Sequence, residues 1–101
     1  MSVFLDQTSK NTVHEILKKA LREKDSYKVF VFGSRARGDH KKYSDLDLWI
    51  ESSPGLNAME IADLYQCFSD SDLAITVDIV TPETCLPEYK AQIESEKIFF
   101  E

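Results

Sequence analysis

Three aspartates and a Gly-Ser pair are the residues of this 101-residue chain best suited to chemistry. Asp45 and Asp47 stand two apart in Ser44-Asp45-Leu46-Asp47-Leu48-Trp49-Ile50-Glu51. On a strand that spacing turns both toward one face, with Trp49, and leaves Leu46, Leu48 and Ile50 for the other. Their backbones are then about 6–7 Å apart. At an effective dielectric of about 20 the two charges repel by on the order of 2–3 kcal/mol. Unless they face open water a cation must offset that cost, and Mg²⁺ favours carboxylate oxygens and is commonly shared with nucleotide phosphates. Asp78 is the single charge in Ala74-Ile75-Thr76-Val77-Asp78-Ile79-Val80. A carboxylate in such a run is costly unless it is paired, bound to metal or at a surface. Gly33-Ser34-Arg35-Ala36-Arg37-Gly38 supplies an approachable backbone, a hydroxyl and two guanidinium groups, the parts of a phosphate cradle. Taken singly, an Asp-x-Asp pair is more often a solvated sheet edge, and each arginine is as often a surface ion pair. Together they are far more specific.

These residues need a scaffold of strands. Tyr27 to Phe32 reads as a buried strand that stops at Gly33, Asp45 to Glu51 as a second, and Leu73 to Val80 as a third. In the third, Asp78 shares its face with Thr76, so it joins Asp45 and Asp47 if the two strands are neighbours. Ser34 to Gly38 is expected to start a helical turn with free backbone N–H groups, and Ser44 to bond a carboxylate or a phosphate, or simply to shape the strand start. Helices are expected from Thr8 or Ser9 to Lys24, capped by Ser9 or Asn11, and from Asn57 to about Ser69, with Ala58, Ile61, Ala62, Tyr65 and Phe68 inward. A closing helix is expected from Leu86 to Glu101, with Leu86, Tyr89, Ile93 and Phe100 inward. The expected fold class is α+β: a small mixed three-stranded sheet packed by about four helices, forming one domain over residues 1–101.

Gly33-Ser34, the spacer, Ser44-Asp45-Leu46-Asp47-Leu48 and the distal Asp78 resemble the signature of the DNA polymerase beta-like nucleotidyltransferase superfamily. Gly-Ser-x-Ala-x-Gly followed by Ser-Asp-x-Asp-Leu, in so short a chain, is similar to its minimal nucleotidyltransferases, small prokaryotic proteins commonly found as antitoxins beside a HEPN-domain toxin. The resemblance spans about Val29 to Val80. It implies transfer of AMP from ATP, with Mg²⁺ as two ions, to a tyrosine hydroxyl of the HEPN partner. Asp45, Asp47 and Asp78 would be the catalytic and metal-binding carboxylates, and Gly33, Ser34, Arg35, Arg37 and Ser44 the nucleotide-binding residues. Two alternatives stay open: a noncatalytic antitoxin that masks its partner, and a small-molecule transferase of the aminoglycoside-modifying kind.

Composition narrows the partners. With 12 Lys+Arg against 18 Asp+Glu, a net charge of −6 argues against extended nucleic-acid binding, although Arg35, Arg37, His40, Lys41 and Lys42 crowd one loop where a triphosphate would dock. No apolar run approaches 18 residues and no signal peptide is visible, so a cytoplasmic protein without a membrane partner is expected. Cys67 and Cys85 lack metal spacing and read as reduced, buried or half-buried thiols. His14 reads as a partly exposed helix residue, Trp49 and Tyr65 as core aromatics, and Asp70 and Asp72 as a solvated turn. The apolar Ile98-Phe99-Phe100 either covers the sheet or serves an interface, including an oligomer with the partner.

Overall fold

The computed structural model describes residues 5–41 and 43–100. Lys42 of the basic loop and Glu101 of the closing segment lie outside the described residues. The elements run α1 (Gln7–Leu21), β1 (Ser26–Phe32), α2 (Ser34–Arg37), β2 (Leu46–Ser53), α3 (Ala58–Asp70), β3 (Val77–Val80), α4 (Pro87–Glu96) and β4 (Ile98–Phe99). The sheet order is β3-β2-β1-β4, with β2 parallel to β3 and the other pairs antiparallel. The fold is therefore α+β with a mixed sheet, as expected, but with a fourth strand. The closing helix stops at Glu96, Lys97 adopts extended backbone, and Ile98 and Phe99 pair with Val31 and Phe30.

Alternation along β2 divides the sheet into two faces. Leu46, Leu48 and Ile50 are fully buried with Val29, Val31, Val77 and Ile79 against Val13, Leu17 and Leu21 of α1 and Leu64 and Phe68 of α3. Each such side chain contributes about 1.5–3 kcal/mol by leaving water. The opposite face carries Phe30 and Phe32, Asp47 and Trp49, and Asp78 and Val80, paired row by row across β1, β2 and β3. α4 covers part of it. Lys97 Nζ sits 4.2 Å from the Phe30 ring centroid and 5.8 Å from that of Trp49, and pairs with Glu51 at 2.9 Å and with Glu94. Trp49 is buried beneath it and donates Nε1–H to Glu51 Oε2 at 2.8 Å.

Helix ends follow side-chain chemistry. Asp6, rather than Ser9 or Asn11, caps α1 by accepting the Ser9 N–H, so the helix starts earlier than its sequence implies. Asn57 and Glu60 form a reciprocal capping box on α3, and Glu60 also pairs with Lys24 at 2.8 Å. Tyr65 is 40% exposed instead of core: its hydroxyl accepts the Ile79 N–H at 2.9 Å, giving β3's free edge a partner. Ala58, Ala62, Leu86, Tyr89 and Cys67 are likewise exposed, Cys85 is half-buried, and both cysteines are free. Exposed His14 stacks on Phe100, ring centroids 4.4 Å apart. Among the described residues no helix is long and apolar enough to cross a membrane.

Phe100 lies in the main core and Phe99 is 55% exposed, so the two neighbours should respond differently to truncation. In urea titrations Phe100→Ala should lower stability by about 3 kcal/mol, and Phe99→Ala by less than about 1 kcal/mol. Equal losses would mean that the terminal segment does not close the core.

Candidate active site

The site is built where β1 ends. Gly33 has φ +75°, which favours glycine, and a Cβ placed there would lie 2.2 Å from Asp47 Oδ2. Only a residue without a side chain lets that carboxylate rest against the backbone. Asp47 pairs across β1 with Phe32 and across β3 with Asp78, so Asp47 and Asp78 stand side by side on the same face. Asp45 sits just before β2 and is exposed, as is Asp78, while Asp47 is half-buried.

The three carboxylates repel one another, and Asp47 shows it. Burial, then the charges of Asp78 and Asp45, push the Asp47 carboxyl up to about 6, and the Arg37 guanidinium works against them. Asp47 is thus a carboxylate short of a positive neighbour. With Asp45 and Asp78 nearby, it offers hard oxygen donors of the kind that suit Mg²⁺. Among the described residues no three side chains already form a group able to hold a metal, so the carboxylates would have to close around one.

The loop residues divide. Arg37 is exposed, reaching Asp39 at 3.3 Å and Glu96 at 3.4 Å. Arg35 departs from the phosphate-contact expectation. It is 5% exposed, and its Nε and Nη2 both donate to the Ser44 carbonyl, at 3.1 and 3.0 Å. Its guanidinium braces the loop that leads into Asp45. Ser44 Oγ accepts the Lys41 N–H at 2.8 Å, which is turn chemistry rather than a carboxylate contact. Ser34 follows Gly33, half-buried, and its carbonyl accepts the Gly38 and Asp39 N–H groups that end the turn. One participant was not foreseen. Glu96, at the end of α4, accepts the Gly33 N–H at 3.0 Å, and no local pattern in the sequence marks it. Beside Gly33 a cleft of about 370 Å³ opens between sheet and α4, lined by Phe32, Val80, Leu86, Tyr89 and Ile93.

A family model described as "Nucleotidyltransferase domain" matches residues 14–100. This chain belongs to that family. The nucleotidyltransferase is 42% identical over 64 residues to "Probable protein adenylyltransferase MntA" of Haemophilus influenzae, a match covering 63% of this chain and 56% of that protein. It is 35% identical over 92 residues to "Putative protein adenylyltransferase MJ1217" of Methanocaldococcus jannaschii, covering 86% and 93%. Among solved structures, "Structure of putative minimal nucleotidyltransferase" aligns with TM-score 0.70 at 30% identity over 91% of this chain and 92% of that one. "Crystal structure of the toxin-antitoxin with AMP-PNP" aligns with TM-score 0.73 at 20% identity over 91% and 72%, a likeness of fold.

Two outcomes follow from the Gly33 and Asp47 geometry. Gly33→Ala should cost about 1–3 kcal/mol of stability, since it combines an unfavourable φ with a collision against Asp47; thermal melts that match the wild type would refute the close approach. Because the folded-state pKa of Asp47 lies above its ordinary 3.8, the ionised group opposes folding above pH 6, and that penalty fades as pH falls from about 6 toward 3.8. Asp47→Asn should therefore be more stable than the wild type at pH 7.5, by about 1 kcal/mol once solvent screening of a half-buried group is allowed for. The gain should vanish by pH 4, and a loss at pH 7.5 would contradict it.

Proposed function

We propose that this nucleotidyltransferase transfers AMP from ATP to a hydroxyl of a partner toxin and thereby acts as an antitoxin. The observation that carries the reading is the contact of Gly33 with Asp47, which pairs with Asp78: an anion-approachable backbone beside paired carboxylates on one sheet face. The names of its relatives, protein adenylyltransferases, and of one structural neighbour, a toxin-antitoxin with AMP-PNP, support the choice of donor and partner. The partner's class, a HEPN ribonuclease modified on tyrosine, is what the resemblance to minimal nucleotidyltransferases implies.

In this reading Gly33 N–H, Ser34 and Arg37 bind the β and γ phosphates, and the cleft beside Gly33 receives the nucleoside. Arg35 and Ser44 contribute indirectly, by holding the loop that presents Asp45. Asp45, Asp47 and Asp78 would hold two Mg²⁺ ions, which when bound offset the charge that develops on the attacking and leaving oxygens. The acceptor oxygen attacks the α-phosphorus, the bond from that phosphorus to the bridging oxygen breaks, and pyrophosphate leaves with the electron pair. Asp78, exposed at the edge strand, orients the acceptor hydroxyl and takes its proton. The 101 residues act as a single catalytic domain in the cytoplasm, and the partner supplies most of the acceptor surface.

Incubation with ATP labelled at the α-phosphate, Mg²⁺ and the product of the adjacent gene should place label on that product. Asp45→Asn and Asp47→Asn should each reduce transfer by on the order of a hundredfold or more. Full neutralisation of the partner by these variants, without label, would establish masking in place of catalysis.

A further inference from the structure

Glu96 occupies the place that the preceding reading gives to a phosphate. Its Oε1 accepts the Gly33 N–H at 3.0 Å, and Arg37 Nη1 lies 3.4 Å from Oε2 and 3.5 Å from Oε1. These two donors, a main-chain N–H and a guanidinium, are the pair that suits a phosphate oxygen. The carboxylate is held there from behind. Glu96 ends α4, and the next residue, Lys97, is tied to Glu51 and Glu94 and lies over the Phe30 ring. The Glu96 side chain is 18% exposed, whereas that of Arg37 is 46% exposed, so it is the carboxylate that is built into the wall of the site. Its charge also adds to those acting on Asp47.

We propose that Glu96 is a resident anion of the phosphate cradle, filling it in the free protein and giving way to a nucleotide phosphate on binding. The inference rests on the nucleotide-binding reading of Gly33 and Arg37. Two anions cannot share one N–H and one guanidinium without strong repulsion, so the side chain must swing out when triphosphate arrives. It thereby sets the affinity of the site, weakening nucleotide binding and admitting only a ligand with enough anionic groups to compete for both donors. In the free protein it satisfies the Gly33 backbone donor.

The test is binding of AMP-PNP with Mg²⁺, by calorimetry, to the full chain, Glu96→Gln and Glu96→Ala. Glu96→Gln keeps an acceptor for the Gly33 N–H and removes the charge, so folding is preserved while competition is weakened. Both variants are expected to bind about tenfold more tightly than the wild type, and inorganic tripolyphosphate should show the same ordering. If the wild type binds AMP-PNP and Glu96→Gln binds no better, the resident-anion role is wrong and the nucleotide-binding reading stands. If none of the three proteins binds either probe, the nucleotide-binding reading itself fails and the inference falls with it. Binding weakened in Glu96→Gln would also overturn the proposal, making Glu96 a ligand-holding group instead of a competitor.

Discussion

A carboxylate pressed against bare backbone is the constraint on which the rest of this structure depends. Asp47 fits where it does only because Gly33 has no Cβ, and Gly33 holds a positive φ where β1 ends. Everything nearby accommodates that contact. The alternation of β2 buries Leu46 and Leu48 on either side of Asp47, so the strand cannot slip by one residue without exposing its core face. Parallel pairing with β3 then sets Asp78 directly beside Asp47. The crossover through α3 makes that pairing attainable, because parallel neighbours cannot be joined by a tight turn.

The face that carries Asp47 shows how charge is managed around this concentration of acids. Lys97 sits over Phe30 and Trp49, and hydrogen bonds from Lys97 and Trp49 hold the Glu51 carboxyl below its usual range. Two rows away, Asp47 has no comparable cation and is pushed the other way. One sheet face thus carries one carboxylate satisfied by the fold and another that the fold leaves without a comparable cation. Arg35 belongs to the satisfied part. Buried, with its pKa pulled down by desolvation, it joins the turn after Gly33 to the backbone just before Asp45.

Much of this was legible in the residues. The period of two in β2, the break at Gly33 and the lone Asp78 among apolar residues were enough to expect neighbouring strands with their acids on one face. What escaped were features decided by tertiary contact. Whether Arg35 or Arg37 turns inward depends on which side of a four-residue helix meets the core, and a helix so short has no periodicity to read. Tyr65 shares its spacing with core residues, yet its hydroxyl serves the Ile79 N–H at the sheet edge. β4 is two residues long, formed because Ile98 and Phe99 meet β1, and no local propensity could separate it from the end of α4. Glu96 was invisible for the same reason: its partners, Gly33 and Arg37, lie 63 and 59 residues away.

The site is therefore electrostatically uncomfortable by construction. A chain with net charge −6 gathers Asp45, Asp47 and Asp78 around one end of its sheet, and Glu96 adds to the same field. Neutralising Asp47 would relieve the fold, so its charge is a cost that the apolar face of the sheet offsets through burial. Such repulsion has a thermodynamic consequence. Any ligand that brings cations to these oxygens binds the folded state and not the unfolded chain, and so adds its binding free energy to stability. Under the proposed function, folding and cation binding make opposing demands on Asp47, a half-buried acid that fits only because the backbone beside it is glycine.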